Sequence, residues 1–234
     1  MPPELLANYA RAYVASAAGI ICSYPVDTVK THIQDSGGST LRAVASLGPR
    51  GLYRGALPQV LLMAPVKSLR FTFYQCLSQG GGLDPAAAGL LAGAALGIFT
   101  NPLEVLKVRT QLGLPRPPSA RALLIPGLAM NIFRESLTSC SVFGLQPVLR
   151  ECTESKLLVA LLASLPGCLI SVPCDLLKTK LQARDYPPPP LRNVVAEGVR
   201  SSGWGFLFRG WKHRVAKALP QLGVTVYTYN LLQP

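Results

Sequence analysis

Apolar residues gather in six stretches, at roughly 6–33, 55–78, 84–112, 127–150, 155–184 and 209–232, and each stretch predicts a helix. None holds about 20 uninterrupted apolar residues, the length a simple membrane anchor needs. Prolines, glycines and single charges interrupt every one, a pattern that fits helices packed around a polar interior. Small residues recur in the odd-numbered stretches: Ala18 and Gly19, then Gly89, Gly93 and Gly97, then Ala163 and Gly167. Those of the third and fifth stretches, spaced four apart, form a helix face that a second backbone can approach closely in lipid. The segments inside each helix pair carry Arg42, Arg50, Arg116, Arg121, Arg192 and Arg200, and this charge predicts one shared side of a membrane.

The ends of the odd helices are copies of one another. Residues 24–34 read YPVDTVKTHIQ, 101–111 read NPLEVLKVRTQ and 172–182 read VPCDLLKTKLQ. In each, a proline is followed by an acid two residues on, a lysine five on and a glutamine nine on. Three such motifs in register are the mark of an internal repeat. A second mark follows each copy: Arg54-Gly55 and Arg209-Gly210 behind aromatic residues, with a degraded form at Pro126-Gly127. The chain therefore divides into repeats 1–80, 81–152 and 153–234, each an odd helix, a short basic loop and an even helix.

The spacing brings the acid, lysine and glutamine of each copy onto one helix face. The proline is expected to kink the helix and turn its end towards the bundle axis. Three such ends make a ring in which Asp27 pairs with Lys107, Glu104 with Lys178 and Asp175 with Lys30. Gln34, Gln111 and Gln182 can each brace a pair, because an amide both donates and accepts. Ordinary surface bridges at helix ends are the plain alternative.

Composition narrows the class. Only 15% of the 234 residues are charged and 49% are hydrophobic, with a mean hydropathy of +0.31, which leans towards a membrane protein. The net charge of +12 calls for anionic partners. Its spread along the ends of apolar segments favours lipid and argues against nucleic acid. Six cysteines without CxxC spacing read as small buried hydrophobes, and two histidines leave no metal cluster and no catalytic triad. An enzyme is excluded on these grounds, and no cofactor is implied. The first apolar stretch starts almost at Met1 with no Arg- and Ser-rich presequence ahead of it.

These motifs resemble the signature of the mitochondrial carrier family, and the likeness covers nearly the whole chain. It implies an all-α membrane protein of six transmembrane helices, in three pseudo-symmetric two-helix repeats around a central cavity. It also implies a monomer in the mitochondrial inner membrane, both termini towards the intermembrane space, the acid–lysine ring at the matrix end, and alternating access. Arg54, Gly55, Arg209 and Gly210 resemble the family's cardiolipin-binding helix starts, where backbone N–H groups and the helix dipole meet a phosphate. A turn glycine beside an interfacial arginine is the simpler reading. The chain departs from the family at the opposite gate: the acids expected on the even helices are replaced by Gln75, Pro147 and Asn230. The loop from Leu112 to Pro126 also looks too short for the usual matrix helix.

Seven residues after Gly55, Gly127 and Gly210 stand Leu62, Arg134 and Lys217, equivalent cavity-facing positions at mid-membrane. A charge there costs ~2.5–3.5 kcal/mol on insertion scales, so it points to function. In the family an Arg–acid doublet such as Arg134-Glu135 resembles amino-acid carriers, with the arginine on the substrate carboxylate and the acid on its ammonium. Lys217, Lys67 and Arg70 add positive charge, although Lys67 and Arg70 can instead snorkel to the surface. Residues 214–229 resemble the last helix of aspartate/glutamate carriers, with Lys217 where an arginine is usual. The expected function is exchange of an acidic amino acid or dicarboxylate. A carnitine/ornithine-like carrier, or a degenerate carrier fold kept as a membrane scaffold, stays open.

Overall fold

The computed structural model describes residues 3–36 and 39–231, and among these every regular element is helical. The helices are α1 (Pro3–Ser36), α2 (Thr40–Leu52), α3 (56–80), α4 (Pro85–Leu112), α5 (Ala120–Leu124), α6 (Leu128–Cys152), α7 (Lys156–Ile170), α8 (Val172–Ala183), α9 (Leu191–Ser202) and α10 (Trp211–Leu231). Within α3 the turns Gln59–Met63 and Cys76–Gly80 are π-helical. Local chemistry sets the ends. Asp84 accepts from the Ala86 N–H at 3.0 Å and Pro85 opens α4, while Gly113, with φ of 73°, closes it. Ser155 caps α7 in the same way.

Helix α4 is long and apolar enough to cross a membrane, and α7 with α8 passes as one span bent by 60°. Pro25 and Pro102 sit inside unbroken α1 and α4, and only the third copy breaks, at Ser171. The Ser171 hydroxyl donates to the Gly167 carbonyl at 2.6 Å and accepts from Arg214 of α10 at 2.7 Å. The connections inside the helix pairs also hold more structure than loops: α2 and α9 are amphipathic helices. In the middle connection Pro115, Pro117 and Pro118 leave room for a single turn, α5, capped by Ser119.

Each long helix packs on the next. Helix α1 runs along α10 and touches α3; α3 lies on α4, α4 on α6, α6 on α7, and α7 against α10. The glycine face of α4 explains the closest of these contacts. A Cβ on Gly93 would stand 2.7 Å from Ser136 Cα, and one on Gly97 2.7 Å from Ile132 Cα, so α6 lies directly on the α4 backbone. Gly167 receives Ser141 of α6, whose hydroxyl accepts from the Gly167 N–H at 3.0 Å and donates to the Ala163 carbonyl at 2.6 Å.

Leu90, Leu91, Ile98 and Phe99 on α4, and Leu162, Leu169 and Ile170 on α7, are exposed, while acids, lysines and glutamines share the interior with apolar residues such as Leu96, Val105 and Leu176. Cys22, Cys76 and Cys152 are exposed as well, which corrects their reading as buried. Apolar neighbours marked the outer faces of these helices as much as their inner ones.

Replacing Gly93 by valine forces α4 and α6 apart and is expected to lose ~1–3 kcal/mol or more of stability. Gly80 has open space around it, and Gly80→Ala is expected to stay within ~0.5 kcal/mol of the parent. Thermal melting of both variants in detergent checks the contrast.

Candidate functional site

The prolines deliver the motif acids and lysines to one place. Lys30 of α1 pairs with Asp175 of α8, Lys107 of α4 with Asp27 of α1, and Lys178 of α8 with Glu104 of α4 at 2.8 Å. The three bonds close a cycle in which each helix gives its acid to one neighbour and its lysine to the other. All three acids are buried, at 4%, 6% and 3% exposure for Asp27, Glu104 and Asp175. These are desolvated pairs, so the plain alternative of surface bridges does not describe them.

The glutamines divide differently from expectation. Gln34 alone reaches a ring acid, donating to Asp175 at 3.3 Å and accepting from the Thr179 hydroxyl at 3.0 Å. Gln111 accepts from the Thr31 hydroxyl at 2.9 Å and donates to that of Thr28 at 3.2 Å. Gln182 donates to Asn101 at 3.2 Å. Hydroxyls and an amide one turn away sit closer to these two glutamines than any acid, which is why only one copy braces a pair.

Each ring acid holds a further cation from an even helix. Lys217 of α10 donates to Asp27 at 2.6 Å, Arg214 of α10 lies 3.0 Å from Asp175, and Arg134 of α6 lies 3.5 Å from Glu104 and 3.7 Å from Asp175. Arg134 also donates to Asn131 at 2.9 Å and to Glu135 at 2.5 Å. The second Glu135 oxygen accepts from Arg70 of α3. Glu135 is thus a counter-ion between two guanidiniums, and both of its oxygens are engaged. The side chain of Lys67 lies outside the described residues.

Leu62 does not share the setting of Arg134 and Lys217. It falls in the π-turn Gln59–Met63, whose wider winding leaves Leu62 exposed and buries Gln59 and Met63 instead. Sequence reasoning missed Arg214 and Gln59. Both stand four residues after a repeat glycine, as does Asn131, so counting one turn earlier along the even helices finds them.

The helix starts share one backbone feature. Gly55, Gly127 and Gly210 have φ of 85°, 70° and 84°, a left-handed conformation that only glycine adopts without strain. Each sits against the following odd helix in the cycle: Gly55 by Thr110, Gly127 by Lys178, and Gly210 by Gln34. Arg54 is exposed, and Arg209 donates to Ser202 at 3.1 Å.

The sequence profile of the mitochondrial carrier protein family matches residues 2–83 and 153–234. The chain belongs to the mitochondrial carrier family. Residues 84–152 lie outside the two matches, yet Glu104 and Lys107 complete the ionic cycle from within that segment. Similar proteins include a calcium-binding mitochondrial carrier protein of Dictyostelium discoideum, 27% identical over 98% of this chain. Two mitochondrial electrogenic aspartate/glutamate antiporters of Homo sapiens, SLC25A12 and SLC25A13, are 28% and 30% identical, each over 94% of it. The chain spans 36% of the length of the first and 40% of each of the others. By name these relatives are carriers and antiporters, not enzymes.

Asp27 serves two cations, so Asp27→Asn leaves Lys107 and Lys217 facing each other across a neutral amide. A loss of ~3–5 kcal/mol is expected, the usual effect of stripping one partner from a buried pair. Lys217→Met leaves the Asp27–Lys107 bond intact and is expected to lose clearly less. Melting temperatures of the two variants test the order, and equal losses would contradict a shared acid.

Proposed function

We propose that this carrier exchanges a small anionic metabolite, an acidic amino acid or a dicarboxylate, across the mitochondrial inner membrane by alternating access. The observation that carries this reading is the unspent donor capacity of the charge cluster. Seven basic side chains (Lys30, Arg70, Lys107, Arg134, Lys178, Arg214 and Lys217) meet four acids (Asp27, Glu104, Glu135 and Asp175), a surplus of three positive charges. The Nε–H groups of Arg70, Arg134 and Arg214 are buried without a hydrogen-bond partner. Buried donors of this kind lack an acceptor, and a carboxylate supplies two. The names of the human relatives point the same way.

The architecture behind it is six membrane-crossing helices in three pseudo-symmetric repeats, 1–80, 81–152 and 153–234. The acid–lysine cycle is the gate at the matrix end, and Arg134, Lys217 and Arg70 are the substrate cations. Because Arg134 and Lys217 also hold ring acids, a substrate that takes them removes outer partners from Glu104 and Asp27. The gate then rests on the three lysines alone. A dianion that engages both cations loosens the ring most, so binding and opening are linked. At the opposite end, where acids are missing, Tyr74 of α3 stacks on Phe143 of α6 with ring centroids 3.9 Å apart, a neutral closure between even helices. The working unit is a monomer with both termini towards the intermembrane space, and cardiolipin phosphate sits at Arg54-Gly55 and Arg209-Gly210.

Uptake into liposomes preloaded with acidic amino acids or dicarboxylates tests this directly. The parent protein is expected to exchange L-glutamate, L-aspartate or malate. Arg134→Ala is expected to lose ~2–5 kcal/mol of substrate interaction and with it nearly all flux. A folded protein without uptake of any anion in the panel supports the scaffold reading instead.

A further inference from the structure

The charge cluster is rich in unspent donors, and the acceptor side has its own counterpart. Gln59 of α3 is 5% exposed, and its Oε1 has no hydrogen-bond partner. It lines a narrow crevice between α1, α3 and α10, too tight for a water molecule until a side chain moves, whose other polar walls are Ser23, Tyr24, Asp27, Lys217 and Gln221. A buried amide oxygen left without a donor is destabilising, so its persistence beside a pocket marks a group that arrives from outside. The Gln182 amide oxygen is also unpartnered, but Gln182 packs behind the ring against Gly127 and does not line this pocket.

The pocket holds three things together: an acceptor without a donor (Gln59 Oε1), a carboxylate (Asp27) and an ammonium (Lys217). Lys107 already takes one oxygen of Asp27 and Lys217 the other. A ligand carboxylate can draw Lys217 off Asp27, which frees that oxygen at the moment the ligand arrives. A ligand ammonium then finds two acceptors side by side. Glu135 is held in the same way by Arg70 and Arg134 and is the competing ammonium partner, which the Gln59 variant below separates from this one.

We propose that Gln59 and Asp27 form the ammonium subsite of the carrier, so that an α-amino acid binds with its ammonium on these two residues and a carboxylate on Lys217. The assignment rests on the anion-exchange reading above and sharpens it: the preferred substrate bears an amino group, and Gln59 selects for it. Symmetry supports the asymmetry of the choice. The equivalent residues one turn into the other even helices are Asn131 and Arg214, and both already have partners, Asn131 on the Gly97 carbonyl at 2.8 Å and Arg214 on Ser171.

The test compares L-glutamate with glutarate, which has the same two carboxylates and no ammonium, in proteoliposomes of the full chain. In the parent, L-glutamate should have the lower KM. Gln59→Met keeps the volume but removes the acceptor, and should raise the KM for L-glutamate about tenfold while that for glutarate moves little. If Gln59→Met does not fold, competition in the parent decides: L-glutamate must block uptake better than glutarate. Equal competition by the two, or an unchanged ratio in Gln59→Met, overturns the ammonium subsite and leaves anion exchange standing. Failure of the parent to take up either compound overturns both.

Discussion

A carboxylate taken out of water must find a cation, and here three of them are buried. Asp27, Glu104 and Asp175 are each matched by a lysine from the next odd helix, and this requirement ties α1, α4 and α8 into a cycle. Removing any one partner strands a charge and is expected to be far more damaging than the modest net worth of the pair. The bundle is therefore held at this end by mutual need more than by strong attraction. Interactions of that kind can be exchanged for others of the same chemistry, which suits a gate.

The even helices supply what makes the exchange possible. Lys217, Arg134 and Arg214 each approach a ring acid, so on the proposed reading the substrate cations Arg134 and Lys217 also back the gate. A ligand carrying carboxylates competes with the protein's own. This links occupancy to gate strength without a separate signalling element, because one side chain cannot fully serve both acceptors. Glu135 shows the principle in miniature, a resident carboxylate held by Arg70 and Arg134.

Much of this was legible in the chain. Threefold proline, acid and lysine spacing was enough to state which acids and lysines pair across the odd helices, because a shared axis brings those faces together. The glycines of α4 likewise announced a close helix contact. Other features were not legible, each for a physical reason. The bond from Arg214 to Ser171, at the break between α7 and α8, joins residues 43 apart in the chain and forms only through folding. Gln111 and Gln182 prefer nearby hydroxyls and an amide, a choice among neighbours that spacing cannot rank. Counting along α3 placed Leu62 inside, but a π-turn rewinds that helix and turns Gln59 and Met63 inward. The engagement of Glu135 by Arg70 comes from a different helix and hides in a sequence read one helix at a time.

The central claim is that a dianionic substrate loosens the acid–lysine cycle by drawing Arg134 and Lys217 away from it. Spin labels at Asp35→Cys on α1 and Arg184→Cys beyond α8, in a chain whose six native cysteines are replaced, report the distance across that cycle in proteoliposomes. Without substrate a single short distance is predicted; saturating L-glutamate should add a longer one, and an uncharged amino acid such as L-alanine should not. Identical distance distributions with and without L-glutamate would contradict the account.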